Sequence, residues 1–363
     1  MRFVDLKKQY DAYKDELDVA IANVINSTSF INGPAVKELE TSLSVFANVK
    51  NSIACASGTD ALLIAMMALD VNQGDEVIVP AFTYIASASQ VPILKAKPVF
   101  VDVDPVTFNI DVSKIEDKIT DRTVGVIPVS LYGQCADMDE INKIANKHGL
   151  WVIEDGAQSF GAQYKGKRSC SMTTVATTSF FPAKPLGCYG DGGAIFTDNA
   201  ELAKKIEVIK NQGQTKRYFH KVIGVNGRID TLQAAITNVK LRHFDKEIKS
   251  RNDVARFYTE ELRNVVETPV VLDNNLSTWA QYTIRVKDRA NIMEGLKGRG
   301  VPTAVHYPRP LPAQEAFSYL NDSNEYPVSN RLSETVLSLP MHSFLAESDI
   351  KLVCKAIKET ISE

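Results

Sequence analysis

The chain of 363 residues is long enough for two domains, or for one large domain with an appendage. Its hydrophobic content of 44% and its charged content of 23% are ordinary for a globular protein. The 41 basic and 44 acidic residues give a net charge of −3, which argues against a nucleic acid or an anionic membrane surface as a partner.

The N-terminal segment Met1–Lys8 lacks the apolar core of a signal peptide. The apolar run Ala61–Leu69 is much shorter than the ~20 residues that a membrane-spanning helix needs. Five scattered cysteines without a CxxC pair indicate reduced, mostly buried thiols rather than a disulfide framework or a zinc site. We therefore expect a soluble, cytoplasmic protein.

From about residue 50 to residue 200, β-branched apolar runs alternate with helical segments. The predicted strands are Val77–Pro80, Pro98–Val103, Val124–Ser130, Trp151–Asp155 and Ala194–Thr197, and the predicted helices are Asp60–Leu69, Tyr84–Leu94, Met138–His148 and Ala200–Asn211. This alternation indicates a largely parallel sheet that is covered by helices on both faces. In such a sheet, ligands bind beyond the carboxyl ends of the strands.

After Arg228 the pattern changes to a long helix, Thr231–Val265, followed by the strand Trp279–Val286 and the helix Ala290–Arg299. We interpret this as a second, smaller domain. The predicted division is a large domain of residues 1–245 and a small domain of residues 246–363. Packing of the N-terminal segment on the small domain is left open.

Small residues precede the first predicted helix, in the order Ser57-Gly58-Thr59-Asp60. Backbone N–H groups at a helix N-terminus are free and lie at the positive end of the helix dipole, which suits a phosphate. The alternative is that Ser57 or Thr59 does no more than cap the helix.

Tyr84 and Asp155 follow two of the predicted strands. Because a carboxylate at a buried strand end needs a partner, Asp155 is a candidate to pair with a protonated pyridine nitrogen. An ordinary helix cap or an internal salt bridge would explain the same carboxylate. Tyr84 is a candidate to stack on a flat ring, or it is simply a core residue.

Lys184 lies between an apolar run that ends at Pro182 and a turn with glycines at positions 187, 190, 192 and 193. Proline and glycine impose a fixed, non-helical path on this segment. The lysine is either a reactive amine, whose usual carbonyl partner is pyridoxal phosphate (PLP), or a solvated residue of a surface loop. Ser179, five residues earlier, is placed to reach the same phosphate.

These features occur in the order typical of one family. The chain resembles the DegT/DnrJ/EryC1/StrS nucleotide-sugar aminotransferases over nearly its whole length. The resemblance implies an α/β fold of fold-type I, the aspartate aminotransferase-like PLP architecture, with a large mainly parallel sheet domain and a smaller C-terminal α/β domain. The matching blocks are Phe3–Leu6, Gly33–Glu40, Ala56–Leu62, Gly74–Ile78, Glu154–Ala162, Thr178–Gly193, Gly224–Asp230, Val305–Pro308 and Ser338–His342.

By this resemblance, Lys184 carries the cofactor and moves a proton, and Asp155 pairs with the nitrogen of the cofactor ring. The other implied contacts are Gly58, Thr59 and Ser179 at the phosphate, Tyr84 stacked on the ring, Gln158 at its 3-oxygen, and Asn226 from the neighbouring subunit. A residue supplied by a neighbour implies a homodimer whose active sites are shared across the interface.

Small departures from the family pattern occur at Gly156, Ala183 and Arg309, and none removes a catalytic group. The dehydratase branch of the family has histidine at the lysine position, so Lys184 favours amino transfer. His148, His220 and His243 show no metal-ligand spacing, and no metal is expected.

The lysine segment and the run Val129–Asp137 are similar to those of enzymes that aminate C3 of UDP-2-acetamido-2-deoxy-3-keto-D-glucuronic acid. These enzymes use L-glutamate, giving 2-oxoglutarate, and serve bacterial surface polysaccharide (O-antigen) synthesis. A uronic acid needs a cation, and Arg228 is the candidate, although its Asn-x-Arg pattern also occurs in members with neutral sugars. His306 and Tyr307 are expected to contact the sugar.

Two alternatives stay open. One is an aminotransferase for a dTDP- or UDP-linked 3- or 4-keto-6-deoxy sugar. The other is a non-catalytic PLP-fold sensor or regulator, against which the complete set of Lys184, Asp155, Gln158 and Ser179 argues, because a sensor need not keep a proton carrier.

Overall fold

The computed structural model describes residues 1–322 and 324–362 of the chain. The α-helices are α1 (Leu6–Ser27), α2 (Pro34–Ala47), α3 (Gly58–Ala68), α4 (Ala86–Ile93), α5 (Met138–His148), α6 (Ala200–Lys210), α7 (Thr231–Leu262), α8 (Arg289–Gly298), α9 (Pro327–Thr335) and α10 (Glu347–Ser362). The strands are β1 (Asn51–Cys55), β2 (Glu76–Pro80), β3 (Lys97–Val101), β4 (Thr123–Val126), β5 (Trp151–Asp155), β6 (Gln163–Tyr164), β7 (Lys167–Arg168), β8 (Val175–Ser179), β9 (Gly193–Thr197), β10 (Gln214–Lys216), β11 (Phe219–His220), β12 (Asn275–Leu276), β13 (Tyr282–Arg285) and β14 (Val336–Leu339).

A seven-stranded sheet in the order β1-β9-β8-β5-β4-β2-β3 forms the centre of the fold. Strands β3, β2, β4, β5 and β8 pair in parallel, whereas β9 is antiparallel to both β8 and β1. The largely parallel sheet expected from the sequence is therefore present, with one strand reversed. Because β8 and β9 are antiparallel neighbours, the segment between them, which holds Lys184, leaves and re-enters the sheet at the same edge.

Helix α5 and strand β5 have the bounds that the sequence predicted. Strand β4 ends at Val126 rather than at Ser130. Pro128, which lacks an N–H group, comes two residues later, and an isolated bridge then joins Val129 to Asp155. The strands β1 and β8 were not predicted, since small and polar residues dominate both and weaken the apolar pattern.

Two of the apolar clusters bear on the division into domains. One packs α3, α4 and α6 against the sheet and also includes Leu311, Phe317 and Tyr326 from the C-terminal part of the chain. Another is formed by the end of α7 with β13, β14 and α10, and it includes Tyr258, Leu262, Tyr282 and Ile357. Helix α7 is continuous through residue 245, so the predicted domain boundary falls inside a helix, and the division itself stays a prediction.

No helix in residues 1–322 and 324–362 combines the length and the apolar character needed to cross a membrane. Within the same residues, no three His, Cys, Asp or Glu side chains gather as a metal site would require. All five cysteines are buried and free of disulfides.

Candidate active site

A cleft of about 500 Å³ opens at the carboxyl ends of β2, β5 and β8. Nine of the residues predicted for the site line this cleft, namely Gly58, Thr59, Tyr84, Asp155, Gln158, Ser179, Lys184, His306 and Tyr307. Three larger open grooves, of about 640 Å³ beside α1 and of about 850 Å³ and 650 Å³ beside α8, are lined by neither Lys184 nor Asp155. The cleft therefore contains most of the residues that were predicted for the site.

One end of the cleft is formed by the N-terminus of α3. Ser57 caps this helix, with its Oγ accepting from Asp60 N at 3.0 Å. A Cβ atom added at Gly58 would lie 2.6 Å from Ser179 Cβ, so the helix start and the end of β8 pack closely. The first N–H groups of a helix have no intrahelical partner, and here they face the Ser179 side of the cleft. Such an arrangement can bind a phosphate.

Asp155 is 5% exposed and is held at both carboxylate oxygens. Ser87 Oγ donates to Oδ2 at 2.7 Å, and Ala157 N donates to Oδ1 at 3.1 Å. Asp155 therefore presents a carboxylate held in one orientation at the floor of the cleft, where a cationic ring nitrogen can be paired.

Lys184 lies in a tight turn in which its N–H donates to Phe181 O at 2.8 Å. Burial lowers the pKa of Lys184, and the negative charge of Asp155 opposes that shift. Helix α7 fixes the following turn, because Lys240 Nζ donates to Gly187 O at 2.6 Å and lies 4.1 Å from the centre of the Tyr189 ring. These contacts hold the segment in place, as expected for a constrained lysine, and the reactivity of Lys184 stays a prediction.

Gln158 is 2% exposed, and both ends of its amide have protein partners. Its Oε1 accepts from Tyr132 N at 2.9 Å, and its Nε2 donates to Tyr307 Oη at 3.0 Å. Burial raises the pKa of the Tyr307 hydroxyl, which therefore stays protonated. Because the Gln158 amide nitrogen carries two N–H donors and Tyr307 uses one of them, the other is available to a ligand oxygen.

His306 is positioned by a pair of hydroxyl groups from the paired strands β13 and β14. Ser338 Oγ lies 2.8 Å from His306 Nδ1 and 2.9 Å from Thr283 Oγ1. Burial, with a smaller effect from the Lys184 charge, lowers the pKa of His306 to about 4. The imidazole is consequently neutral near pH 7 and can offer Nε2 to a ligand.

Tyr84 is 53% exposed at the mouth of the cleft, with its ring centre 6.1 Å from that of Tyr307 at an angle of 38°. The core alternative for this tyrosine is therefore wrong. An exposed ring beside Asp155 and Lys184 is available to a flat ligand.

Asn226 and Arg228 do not line the cleft of their own chain. Asn226 is exposed, and Arg228 Nη1 donates to Asn211 Oδ1 at 2.9 Å. Arg228 Nε is buried and has no partner among the described residues. These two residues are thus separated from the rest of the predicted site within one subunit.

The sequence analysis missed Gln281, which lines the cleft, and Ser87, which is buried and supports the cleft residue Asp155. Ser87 contacts Asp155 from α4, and Gln281 precedes β13 on the wall that also holds His306. A serine or glutamine with no surrounding motif gives no signal in a single sequence, because only the fold brings it to the cleft.

Comparison with known proteins agrees with this geometry. The DegT/DnrJ/EryC1/StrS aminotransferase family model matches residues 11–358. The chain is 53% identical over 358 residues to the UDP-2-acetamido-2-deoxy-3-oxo-D-glucuronate aminotransferase of Pseudomonas aeruginosa, covering 98% of this chain and 99% of that protein. The chain belongs to this family. It is also 44% identical over 361 residues to the pleiotropic regulatory protein of Geobacillus stearothermophilus, covering 98% and 97% of the two chains.

Solved structures give the same result. A DegT DnrJ EryC1 StrS aminotransferase from Brucella abortus matches with a TM-score of 0.96 at 38% identity, covering 100% of both chains. NtdA from Bacillus subtilis with bound cofactor PMP matches with a TM-score of 0.92 at 30% identity, covering 99% of this chain and 83% of that one. The expected fold-type I architecture is confirmed, and the chain is a PLP-dependent aminotransferase.

The low histidine pKa values predict how stability depends on pH. Burial is the main cause that lowers the pKa of His306 and of His342 to about 4, against ~6.5 in an unfolded chain. Because the unfolded chain takes up these protons first, the free energy of unfolding should fall as the pH drops below about 6.5. At pH 5 the loss should be about 2 kcal/mol for each imidazole.

Urea unfolding between pH 7 and pH 5 measures this loss, in a window above the range in which most carboxylates titrate. His342→Gln should remove about half of the pH dependence that the two imidazoles produce. A variant with the same slope as the wild type would show that His342 does not titrate as the buried geometry requires.

Proposed function

We propose that this aminotransferase moves an amino group from L-glutamate to C3 of UDP-2-acetamido-2-deoxy-3-keto-D-glucuronic acid. The observation that carries the proposal is the 53% identity, over 98% of the chain, to an enzyme with that named sugar nucleotide as its substrate. We further propose that the enzyme acts in the cytoplasm, in the synthesis of a bacterial surface polysaccharide.

The residues of the cleft fit PLP. Gly58 and Thr59 at the start of α3, with Ser179, are proposed to hold its phosphate, and Tyr84 to stack on its ring. When bound, the cofactor carries the amino group and delocalises the electrons that are left when the substrate C–H bond breaks. Gln158 is proposed to contact its 3-oxygen, within the network that Gln158 shares with Tyr307.

Lys184 and Asp155 are the proposed catalytic residues. Lys184 would hold the cofactor covalently, and its amine, when free, would move a proton between two carbon atoms. Its pKa is lowered by burial, which favours the neutral amine that such a base requires. Asp155, fixed by Ser87 and Ala157, keeps the positive charge on the ring nitrogen.

Replacement of the lysine tests the catalytic assignment. Lys184→Ala should abolish turnover while the circular dichroism spectrum stays that of the wild type. Borohydride treatment of the wild type should attach the cofactor to the peptide that contains Lys184. Recovery of the label on the peptide of another lysine, such as Lys240, would refute the assignment.

We propose that the active unit is a homodimer in which Asn226 and Arg228 complete the cleft of the partner. In support, both residues lie outside the cleft of their own chain. They follow the hairpin β10–β11, whose surroundings expose large apolar side chains: Tyr218 is 76%, Phe219 63% and Ile223 87% exposed. Apolar surface of this kind is typical of a covered interface.

Mixed dimers test the sharing of sites. Lys184→Ala and Asn226→Ala are each expected to be strongly impaired, because in a dimer of one variant both active sites carry the substitution. Co-refolding the two variants should restore part of the activity, because one site of a mixed dimer then carries neither lesion. Absence of any recovery, or a fully active monomer in sedimentation, would contradict shared sites.

We propose that Arg228 of the partner subunit binds the C6 carboxylate of the sugar. Its guanidinium has one hydrogen bond to Asn211, and its Nε is buried without a partner among the residues described. A carboxylate could satisfy the free side of the guanidinium fork through two parallel hydrogen bonds. His306 and Tyr307 are proposed to contact the sugar from the opposite wall.

Arg228→Lys keeps the charge but removes the fork. It should weaken the sugar half-reaction by ~1–3 kcal/mol and leave the glutamate half-reaction much less affected. Stopped-flow absorbance of each half-reaction separates the two, with Arg256→Lys, at an exposed arginine of α7 outside the β10–β11 hairpin, as the matched control. Equal losses in both halves would assign Arg228 to the fold or to the cofactor.

The remaining alternatives differ in what they predict. Efficient turnover of a neutral 4-keto-6-deoxy sugar nucleotide, with none of the uronate, would replace the proposed substrate. The name of the Geobacillus stearothermophilus relative favours a regulatory role. The buried Asp155 and the partly buried Lys184 in one cleft favour chemistry, and bleaching of the cofactor absorbance by L-glutamate distinguishes the two.

A further inference from the structure

Lys240 is a buried lysine that the proposed chemistry does not use. It lies on α7 and is 1% exposed, and no carboxylate of the described residues forms an ion pair with it. Its Nζ instead donates to Gly187 O at 2.6 Å and lies 4.1 Å from the centre of the Tyr189 ring. A buried ammonium group is costly without partners, so these two contacts show what the group does in the fold.

The two ends of the loop at residues 181–187, which we call the lysine loop, meet at Gly187. A Cβ atom added at Gly187 would lie 2.6 Å from Pro182 O and 2.7 Å from Phe181 O, so the exit of the loop packs directly on its entry. Lys184 is at the centre of this loop. A shift of Gly187 would therefore move the backbone that carries Lys184.

Helix α7 holds the exit of the lysine loop at two points on one face. Gln233 Oε1 accepts from Tyr189 N at 2.8 Å, and Lys240 follows seven residues later, about two helical turns along. The backbone groups inside a helix are already hydrogen-bonded to one another, so only side chains of α7 can hold the loop. Tyr189 Oη is buried without a partner among the described residues, which leaves the ring face as the part that Lys240 contacts.

The charge of Lys240 strengthens both contacts. Burial lowers the pKa of Lys240 to about 8, against the opposing effects of Glu247 and Cys188. The amine is therefore mainly protonated at pH 7. A hydrogen bond from an ammonium group to a carbonyl is stronger than one between neutral groups, and only the charged form is attracted to the face of an aromatic ring. An apolar side chain of the same length would fill the space without holding Gly187.

We infer that Lys240 is a positioning residue for Lys184, because its ammonium group holds the exit of the lysine loop. This inference rests on the proposed catalytic role of Lys184 and deepens it by naming a residue outside the cleft through which α7 acts on that lysine. Proton transfer needs a close and aligned approach of the amine to carbon. A loosened loop should therefore slow this transfer more than it weakens the binding of glutamate.

Hydrogen exchange of the cofactor-free protein tests whether Lys240 holds the loop. In Lys240→Met, amides of residues 182–190 should exchange about tenfold faster than in the wild type, as expected for loss of a buried charge-assisted hydrogen bond. Those of β5 should stay within about twofold. Lys246→Met, at an exposed lysine of the same helix, should match the wild type in both regions. Unchanged exchange in residues 182–190 would overturn the inference.

A second pair of variants decides the matter if Lys240→Met does not fold. Tyr189→Leu removes the ring, whereas Tyr189→Phe removes only the hydroxyl group that has no partner among the described residues. Exchange in residues 182–190 should rise about threefold in Tyr189→Leu and stay that of the wild type in Tyr189→Phe. Equal exchange in the two variants would then contradict the role of Lys240.

Kinetics of the glutamate half-reaction separate a positioning role from a contribution to stability alone. Stopped-flow absorbance with L-glutamate and with Cα-deuterated L-glutamate gives the rate constant and its isotope effect. Lys240→Met should lower the rate constant about tenfold or more and raise the isotope effect, with the Kd of glutamate changed by less than about twofold. A variant that is less stable to urea but keeps the wild-type rate constant and isotope effect would show that Lys240 only stabilises the fold, against the inference.

The variant Lys184→Ala distinguishes this failure from failure of the proposed function. Turnover that survives Lys184→Ala would refute the catalytic role of Lys184, and the inference with it. An inactive Lys184→Ala beside a Lys240→Met variant with wild-type kinetics would overturn the inference alone.

Discussion

The site depends on bringing an amine and a carboxylate together in one desolvated cleft. Asp155 ends β5, and β8, its parallel neighbour, leads into the segment that holds Lys184. Because β9 returns antiparallel to β8, with Ser179 opposite Gly193, the lysine segment begins and ends at the same sheet edge. A parallel continuation would have required a crossover away from Asp155. The reversed strand is therefore what keeps Lys184 beside the carboxylate.

The two charges affect each other through the low dielectric of this cleft. Burial favours the neutral form of Lys184, and Asp155 favours its charged form. Ser87 and Ala157 hold the carboxylate in one orientation by donating to its two oxygens. Burial without a neighbouring carboxylate would lower the pKa of a lysine further, and a neighbouring carboxylate without burial would raise it. The observed arrangement lies between these limits, as expected for a group that must take up and release protons.

Much of this site could be predicted from the sequence, for physical reasons that differ between residues. Lys184 stands out because proline and glycine fix its local path, and Asp155 because a carboxylate ends an apolar strand. Ser87 is visible only in the fold, since its role comes from a contact 68 positions away in the chain. The direction of β9 was also missed, because an apolar strand has the same pattern in a parallel or an antiparallel pairing.

The cleft of one chain contains few cationic side chains among the described residues. Its floor and phosphate end are formed by elements of the central sheet, and His306 and Gln281 form a wall from the C-terminal part. The cations that a sugar nucleotide with a carboxylate and a diphosphate would need are scarce, since Lys184 is the one Lys or Arg among the described residues that line the cleft. Lys184 is reserved for chemistry in the proposed mechanism. A partner subunit that supplies Arg228 would provide the missing charge without placing a second permanent cation beside Lys184 in the unassembled chain. Such a cation would lower the pKa of Lys184 further and disfavour its charged form before assembly. In the proposed homodimer, a shared site would therefore have an electrostatic rationale, in addition to the burial of the apolar surface around β10 and β11.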